Sequence, residues 1–212
     1  MANLTQDKAL IFRITHIENL AWLLDHGLNA RSSGQFAPNF REIGNPDLID
    51  KRSRRVVPLS PGGTLSDYVP FYFTPYSPML LNIKTGFGGV RQTPMQDIVI
   101  LVSSLLKLAE LNIPFVFSDR HAYLATAQFS SNLADLDRID WPLLQSRDFK
   151  RDPNDLGKVE RYQAEALVHR HVPVAGLLGI ACHNDARNKD VVDLVEKAGK
   201  NVTVVVRPGW YF

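Results

Sequence analysis

Apolar and polar positions along the chain follow two periods, one typical of strands and one typical of helices. Runs rich in β-branched and aromatic residues predict strands at 9–14, 67–75, 98–104, 114–119, 177–183 and 201–206. Apolar residues at helical spacing predict helices at 105–112, 127–136, 141–147 and 185–199. The helices do not alternate regularly with the strands. The pattern therefore predicts an α+β protein with a mixed or antiparallel sheet.

Capping residues mark two further helices. Thr15 precedes an apolar helical face and Glu18 follows three residues later, which predicts a capping box. Gly27 predicts the end of that helix, because glycine adopts the left-handed backbone that often follows a helix. Ser77 and Pro78 are typical of an N-cap and a first helical position.

A long stretch rich in Gly, Pro, Asn and Ser, residues 29–67, interrupts this pattern. An irregular segment of this length inside a compact domain is usually functional or disordered. Its scattered apolar residues favour an ordered, functional loop with a short helix near 46–54. The loop also contains a basic cluster, which consists of Lys51, Arg52, Arg54 and Arg55.

Composition limits the classes of function. The 212 residues are 45% hydrophobic and are expected to form a single domain over 1–212. A net charge of only +2 argues against a general basic coat for nucleic acid, so contacts with a polyanion must come from local patches. The single cysteine, Cys182, excludes an internal disulfide. With no signal-peptide pattern and no apolar run long enough to span a membrane, a cytosolic protein is expected.

Strong catalytic motifs are absent from the sequence. It contains no phosphate-binding glycine loop, no serine nucleophile elbow and no zinc-protease histidine pair. His169 and His171 lie two positions apart and could share a face, but they supply only two of the four ligands that zinc usually needs. Surface histidines are the better interpretation, and no metal is expected.

Ala164, Ala166, Leu167 and Val168 predict a further, half-buried strand, and Glu165 is an unusual residue within it. In "RYQAEALVHRHVP" it lies between apolar residues, although burying an unpaired carboxylate costs several kcal/mol. It must therefore lie on the wet face of an edge strand or act in a cleft.

Several sequence blocks together carry a family resemblance. They are "RITHIENL", "KRSRRVVP", "GGTLSDYVPFYFTPYSPML", "PFVFSDRHAY", "RYQAEALV" and the closing "RPGWYF". In this order, from about residue 9 to 212, they closely resemble the DarT family of bacterial toxins, which are DNA ADP-ribosyltransferases.

The resemblance implies a fold and a chemistry. It implies an ADP-ribosyltransferase-like split mixed β-sheet with flanking helices and long functional loops, and NAD+ as the co-substrate. Glu165 corresponds to the family's catalytic glutamate, which stabilises the oxocarbenium-like state as nicotinamide leaves. Arg52 corresponds to an arginine that contacts NAD+ and acts on the acceptor base. An arginine is an odd general base, because its guanidinium stays protonated in proteins.

The resemblance also implies binding regions. Residues 39–57 correspond to an element that covers NAD+, and residues 119–165 to the loop region that recognises the substrate. The positions implied for NAD+ binding are Arg13, Ile14, Thr15, Trp22, Ala30 and Arg52. Within the second region, cations and aromatic residues suit phosphates and stacked bases of single-stranded DNA. These are Tyr123, Arg147, Phe149, Lys150, Arg151 and Tyr162.

The leading hypothesis is a toxin that transfers ADP-ribose to thymine N3 in single-stranded DNA and whose partner is a macrodomain antitoxin. Unpaired DNA is the easier substrate, because pairing occupies N3 in a duplex. Alternatives that keep the cleft are transfer to guanine, RNA or protein, or hydrolysis of NAD+. A non-enzymatic alternative is a degenerate NAD- or nucleic-acid-binding module.

Overall fold

Strands and helices are interleaved along residues 3–212, the part of the chain that the computed structural model describes. The strands are β1 (Leu10–His16), β2 (Leu28–Asn29), β3 (Tyr68–Tyr72), β4 (Ile98–Ser104), β5 (Phe115–Ser118), β6 (Phe129–Ser130), β7 (Glu165–His169), β8 (His171–Val172), β9 (Gly179–Cys182) and β10 (Thr203–Val206). The helices are α1 (Leu20–His26), α2 (Pro46–Arg52), α3 (Pro78–Thr85), α4 (Leu105–Glu110), α5 (Trp141–Ser146), α6 (Lys158–Arg161) and α7 (Asp185–Lys197).

Eight strands form one mixed sheet in the order β10-β9-β4-β1-β3-β7-β5-β6. Strands β9 and β10 run parallel, and the other neighbouring strands run antiparallel. Strands β2 and β8 pair separately as a short antiparallel ribbon. The mixed sheet expected from the sequence is confirmed. Within residues 3–212, no helix combines the length and apolarity needed to cross a membrane.

Strand β4 lies near the centre of the sheet because its side chains are suited to burial on both faces. All seven of its residues are buried, in agreement with the continuous apolar run Ile98–Val102. It pairs with β1 along its whole length, from Leu10↔Ser104 to His16↔Ile98. Helix α4 packs against β4, and α7 packs against β9 and β10.

The sheet is split between β1 and β3. These strands share one registered pair, Phe12↔Tyr72, whereas β3 pairs with β7 at five positions. Across the gap, Arg13 Nη1 donates a hydrogen bond to the Pro70 carbonyl oxygen at 2.9 Å. The nitrogen and carbonyl oxygen of a strand residue point to the same side, so the N–H that proline lacks also faces β1. Pro70 cannot complete a ladder there, and a cleft opens.

The start of the first helical segment differs from the predicted capping box. Strand β1 continues through Thr15 to His16 because both residues pair with β4. The Thr15 hydroxyl accepts a hydrogen bond from Asn19 Nδ2, and His16 Nδ1 accepts one from the Glu18 N–H. The prediction of a Thr15–Glu18 capping box was wrong, because strand pairing extends past Thr15. The Ser77 cap and Pro78 at the first position of α3 are confirmed.

The predicted helix at 127–136 was also wrong. Strand β6 occupies its first part and pairs with Phe117 and Ser118, and a 3-10 helix follows over Leu133–Arg138. Short polar side chains here bond to nearby groups: Asn132 Oδ1 accepts from the Ala134 N–H, and Ser130 Oγ accepts from the Asn132 N–H. Such local bonds compete with helical hydrogen bonding.

The long irregular segment is attached through Asn19, which ends the short 3-10 helix after β1. Its buried side chain pairs with the backbone of Arg41: Nδ2 donates to the carbonyl oxygen at 3.0 Å, and Oδ1 accepts from the N–H at 2.8 Å. Further along, Asn45 caps α2, which covers most of the predicted helix at 46–54. The segment is therefore ordered, as its apolar residues indicated.

We expect Gly27→Ala to destabilise the protein more than Gly34→Ala. Both glycines have positive φ, +73° and +66°, which strains an alanine, and the strain is larger at Gly27 because its ψ of −170° lies outside the left-handed region that Gly34 occupies. At Gly27 an added Cβ would also lie 2.5 Å from the Val172 carbonyl oxygen, whereas at Gly34 nothing lies within 4 Å. Urea denaturation of the two variants measures this difference. Equal losses of unfolding free energy would contradict the role of close packing at Gly27.

Candidate active site

Glu165 is the first residue of β7 and lies in the interior of the sheet. Its register partners are Tyr72 in β3 and Ser118 in β5, and it is only 3% exposed. Neighbouring strands on both sides exclude the exposed-edge interpretation of this glutamate. The carboxylate therefore needs polar partners to offset the loss of hydration.

Three donors surround the Glu165 carboxylate. Arg52 Nη1 donates to Oε2 at 2.8 Å, and the Ala122 N–H donates to Oε1 at 3.0 Å. His121 Nδ1 lies 2.9 Å from Oε1. An ionised carboxylate has about four acceptor sites, so this arrangement leaves roughly one site for a further donor.

The carboxyl group of Glu165 is held in its ionised form. Burial raises the pKa of its carboxyl group, but the Arg52 cation and the hydrogen bonds from His121 and Ala122 lower it more. The net effect lowers the pKa from the ordinary value of 4.5 to about 2. Burial, reinforced by the Glu165 charge, raises the pKa of Tyr72 far above its usual range, so its phenol stays protonated. The site thus combines a fixed anion with neutral and cationic donors.

Arg52 reaches Glu165 from the last turn of α2. Its side chain is 12% exposed, and Nη2 is one of three buried side-chain nitrogens within residues 3–212 that lack a hydrogen-bond partner in the protein. Its neighbours in the basic cluster have other partners. Arg54 pairs with Asp50, and Arg55 donates to the Leu124 carbonyl oxygen. The free Nη2 donor suits an anionic or carbonyl oxygen of a bound molecule.

Three adjoining hollows surround the Arg52–Glu165 pair. The first hollow contains both residues together with Arg13, Tyr72 and His121. The second hollow shares Arg13 and Arg52 with the first and adds residues of the irregular segment, namely Arg31, Phe36 and Phe40. The third hollow shares Tyr72 and His121 with the first and adds Lys51, Asn82, Tyr123 and Gln163. Cations lie where the first two hollows meet.

Comparisons with known proteins extend over nearly the whole chain. The family described as "ssDNA thymidine ADP-ribosyltransferase, DarT" matches residues 12–212. The chain belongs to the DarT family.

Individual relatives are also similar in sequence and structure. A DNA ADP-ribosyl transferase of Escherichia coli O127:H6 is 49% identical over 211 residues, covering 100% of this chain and 97% of the relative. The structure of Thermus sp. 2.9 DarT in complex with ADP-ribosylated ssDNA has a TM-score of 0.90 at 33% identity, with 100% of both chains covered. The same Thermus protein in complex with NAD+ has a TM-score of 0.83 at 34% identity, with 97% and 98% covered.

These findings confirm several expectations from the sequence. The DarT assignment confirms the ADP-ribosyltransferase fold and the enzyme class, a transferase of ADP-ribose to single-stranded DNA. It also confirms NAD+ as the co-substrate of this chemistry. Within residues 3–212, no three His, Cys, Asp or Glu side chains group closely enough to hold a metal ion.

The residues predicted to bind the DarT co-substrate lie at different depths. Arg13 and Ile14 line the first hollow beside Arg52. Thr15 and Ala30 are buried behind the surface. Trp22 stacks on His26 at 4.4 Å and lines none of the three hollows.

The residues predicted to contact DNA do not form one group: Arg147, Phe149 and Tyr162 cluster around Tyr76, apart from the three hollows. Tyr123 is 37% exposed and lines the third hollow, whereas Lys150 and Arg151 are exposed in the connection before α6. The Arg147 guanidinium lies 3.8 Å from the centre of the Tyr76 ring, and Phe149 also packs near Tyr76. Neither lines the three hollows.

The prediction that Tyr162 stacks on a base was wrong for this structure. Its ring is fully buried against Phe149, and its hydroxyl donates to the Tyr76 carbonyl oxygen at 3.0 Å. A buried ring has no face open to a nucleotide, so Tyr162 acts as a packing residue. In the sequence it could not be distinguished from an exposed aromatic of the same segment.

Three parts of the site had no specific role predicted from the sequence: His121, the Ala122 N–H and Tyr72. His121 and Ala122 follow β5 in the turn after "FSD", and Tyr72 is the last residue of β3. The only signal in the sequence was that His121 closely follows a predicted strand. Nothing in the sequence indicated that the Ala122 N–H would point at a glutamate 43 residues later.

We expect Glu165 to stabilise the folded protein in a pH-dependent way. Because folding lowers its pKa from 4.5 to about 2, the contribution is fully present above pH 4.5 and is lost as the pH falls towards 2. The difference in unfolding free energy between wild type and Glu165→Gln should therefore shrink over this range. Urea denaturation at stepped pH measures it, and a pH-independent difference would contradict the ionised state of Glu165.

Proposed function

We propose that this chain transfers ADP-ribose from NAD+ to N3 of thymine in single-stranded DNA, with Glu165 and Arg52 as its catalytic residues. One observation carries the proposal: a buried carboxylate, ionised at neutral pH, pairs with an arginine that has a free donor, and both residues line the first hollow. This is the arrangement needed to stabilise positive charge as a glycosidic bond breaks.

NAD+ is proposed to lie along the first two hollows. Arg13 and Arg52 line both, so the pyrophosphate is assigned to their junction. The nicotinamide ribose then lies beside Glu165, near the backbone of Ile14 and Thr15. Residues 39–57 act as the covering element, since Phe40, Glu42 and Ile49 line these hollows. Ala30 is buried behind these hollows and packs beneath them, and Trp22 stabilises α1 by stacking on His26.

The chemical roles follow from charge. The remaining acceptor site of Glu165 takes a hydrogen bond from a hydroxyl of the nicotinamide ribose, and its charge stabilises the oxocarbenium-like state. Arg52 orients Glu165 through Nη1 and binds an anionic or carbonyl oxygen through Nη2. Nicotinamide leaves with the bonding electron pair, and the thymine nitrogen forms the new bond to the ribose carbon.

The third hollow is proposed as the site of the acceptor base, because it adjoins Glu165 through His121 and Tyr72. Residues 119–165 form the recognition region: Tyr123 offers an exposed ring at this hollow, and Lys150 and Arg151 offer exposed cations for phosphates. Single-stranded DNA is favoured because it presents N3 without the cost of unpairing and flipping a base.

The biological role proposed is that of a toxin in the cytoplasm of a bacterium. Modifying N3 blocks the pairing edge of thymine, so a template carrying the adduct cannot be copied normally. The family resemblance supports a macrodomain antitoxin, which removes the adduct, as the partner.

Replacing the catalytic carboxylate tests the proposal. We expect Glu165→Gln to lower the rate of ADP-ribose transfer at least about 100-fold, the scale of removing one preorganised electrostatic group. The matched control is Glu160→Gln, because Glu160 lies five positions earlier with a side chain 42% exposed. The measurement is adduct formation on an oligonucleotide with NAD+, after circular dichroism has shown that both variants fold. Equal activity of Glu165→Gln and wild type would refute the proposal.

The acceptor atom can be tested separately. An oligonucleotide with one thymine should gain one ADP-ribose, whereas the same oligonucleotide with N3-methylthymine, or annealed to its complement, should gain essentially none. Mass spectrometry of the digested nucleosides locates the adduct. An adduct on guanine, RNA or protein, or only free ADP-ribose, would replace the thymine assignment with one of the alternative acceptors.

A further inference from the structure

Transfer to thymine N3 leaves a proton without an acceptor. Arg52 cannot take it, because its guanidinium stays protonated in proteins. Glu165 is also poorly suited, since its carboxylate is held ionised by Arg52, His121 and the Ala122 N–H. A third group near both the ribose and the acceptor base is needed.

Glu165 determines which ring nitrogen of His121 carries the hydrogen. Nδ1 lies 2.9 Å from the carboxylate Oε1, which can only accept, so Nδ1 must carry the hydrogen. The Tyr123 N–H also lies 3.3 Å from Nδ1, but a protonated Nδ1 cannot accept from it. The shorter contact with a charged group prevails. In the neutral ring, Nε2 is then an acceptor with a free lone pair.

The location of His121 suits proton transfer. It lines both the first hollow, with Glu165, and the third hollow, with Tyr123. Its backbone N–H donates to the Glu160 carbonyl oxygen at 3.0 Å, and its side chain is 19% exposed, so the ring is restrained without being sealed. Within residues 3–212, no hydrogen bond to Nε2 is present.

We propose that His121 is the general base of the reaction, with Nε2 taking the N3 proton of the acceptor base while Glu165 holds Nδ1–H. This inference rests on the proposed function and deepens it. The N3–H bond breaks and its proton moves to Nε2. The N3 electron pair forms the bond to the ribose carbon, and the bond to nicotinamide breaks with its electron pair leaving on the ring nitrogen. Water later takes the proton from the imidazolium.

The Glu165 carboxylate thus stabilises two positive charges, one after the other. It stabilises the charge that develops on the ribose, and it then stabilises the imidazolium that forms at His121. A carboxylate that orients a histidine and stabilises its cation is a recurring device for activating a weak nucleophile. Arg52 keeps its proton throughout and acts by electrostatics alone.

The substitution His121→Asn removes the proposed base but keeps the hydrogen bond to Glu165 that positions the side chain. The asparagine Nδ2 can replace Nδ1 as the donor to Glu165, but it provides no basic nitrogen at the position of Nε2. We expect kcat for transfer to a thymine oligonucleotide to fall about 100- to 10,000-fold, the usual contribution of general base catalysis. The matched control, His171→Asn, changes an exposed histidine in β8 and should retain wild-type kcat.

A more acidic acceptor distinguishes a base from a structural residue. In an oligonucleotide with 5-fluoro-2′-deoxyuridine at the target position, N3 loses its proton more readily. The loss caused by His121→Asn should therefore be at least tenfold smaller on this substrate than on thymine. An equal loss on both substrates would show a positioning role and overturn the proposal, as would unchanged kcat on thymine.

Separate controls distinguish misfolding of a variant from failure of the proposed function. If His121→Asn does not fold by circular dichroism, His121→Gln is tested with the same two oligonucleotides and the same criterion. If wild type forms no adduct on thymine, the proposed function fails. If wild type forms it and the variants match wild type, only the role of His121 fails.

Discussion

The rest of the site depends on keeping one carboxylate ionised inside the sheet. Removing Glu165 from water would cost several kcal/mol if it lacked partners, and removing one partner of a buried ion pair costs about 3–5 kcal/mol. Arg52, His121 and the Ala122 N–H supply that compensation from three different parts of the chain. The irregular segment and the turn after β5 are therefore held where the chemistry needs them.

The split in the sheet provides the space for this chemistry. Pro70 has no N–H to offer β1, and Arg13 occupies the gap by bonding the Pro70 carbonyl oxygen. The cleft is thus built from backbone chemistry in β3 and a cation from β1. Arg13, Arg52 and Glu42 all line the first two hollows, so the side of the cleft where a dinucleotide phosphate is proposed carries two cations and one carboxylate, besides Glu165 in the first hollow.

The long irregular segment is attached to the rest of the protein by several side-chain bonds, and two of these attachments have a functional consequence. Asn19 binds the backbone of Arg41, and Arg52 binds Glu165. Between them, residues 39–57 form a wall of the cleft and bury little of themselves. This explains why a segment with weak sequence periodicity is nevertheless ordered: side-chain bonds add to the packing of its few apolar residues, such as Ile43 and Val57, against buried clusters.

The sequence by itself determined the parts governed by local chemistry. Apolar runs determined β4 and β7, Ser77 and Pro78 determined the start of α3, and six sequence blocks in order, including the one around Glu165, indicated the family. Tertiary structure decided the rest. Pairing with β4 extended β1 past Thr15, packing buried Tyr162, and chain folding brought His121 and the Ala122 N–H to Glu165. Those outcomes depend on contacts between residues far apart in the chain, which no local pattern encodes.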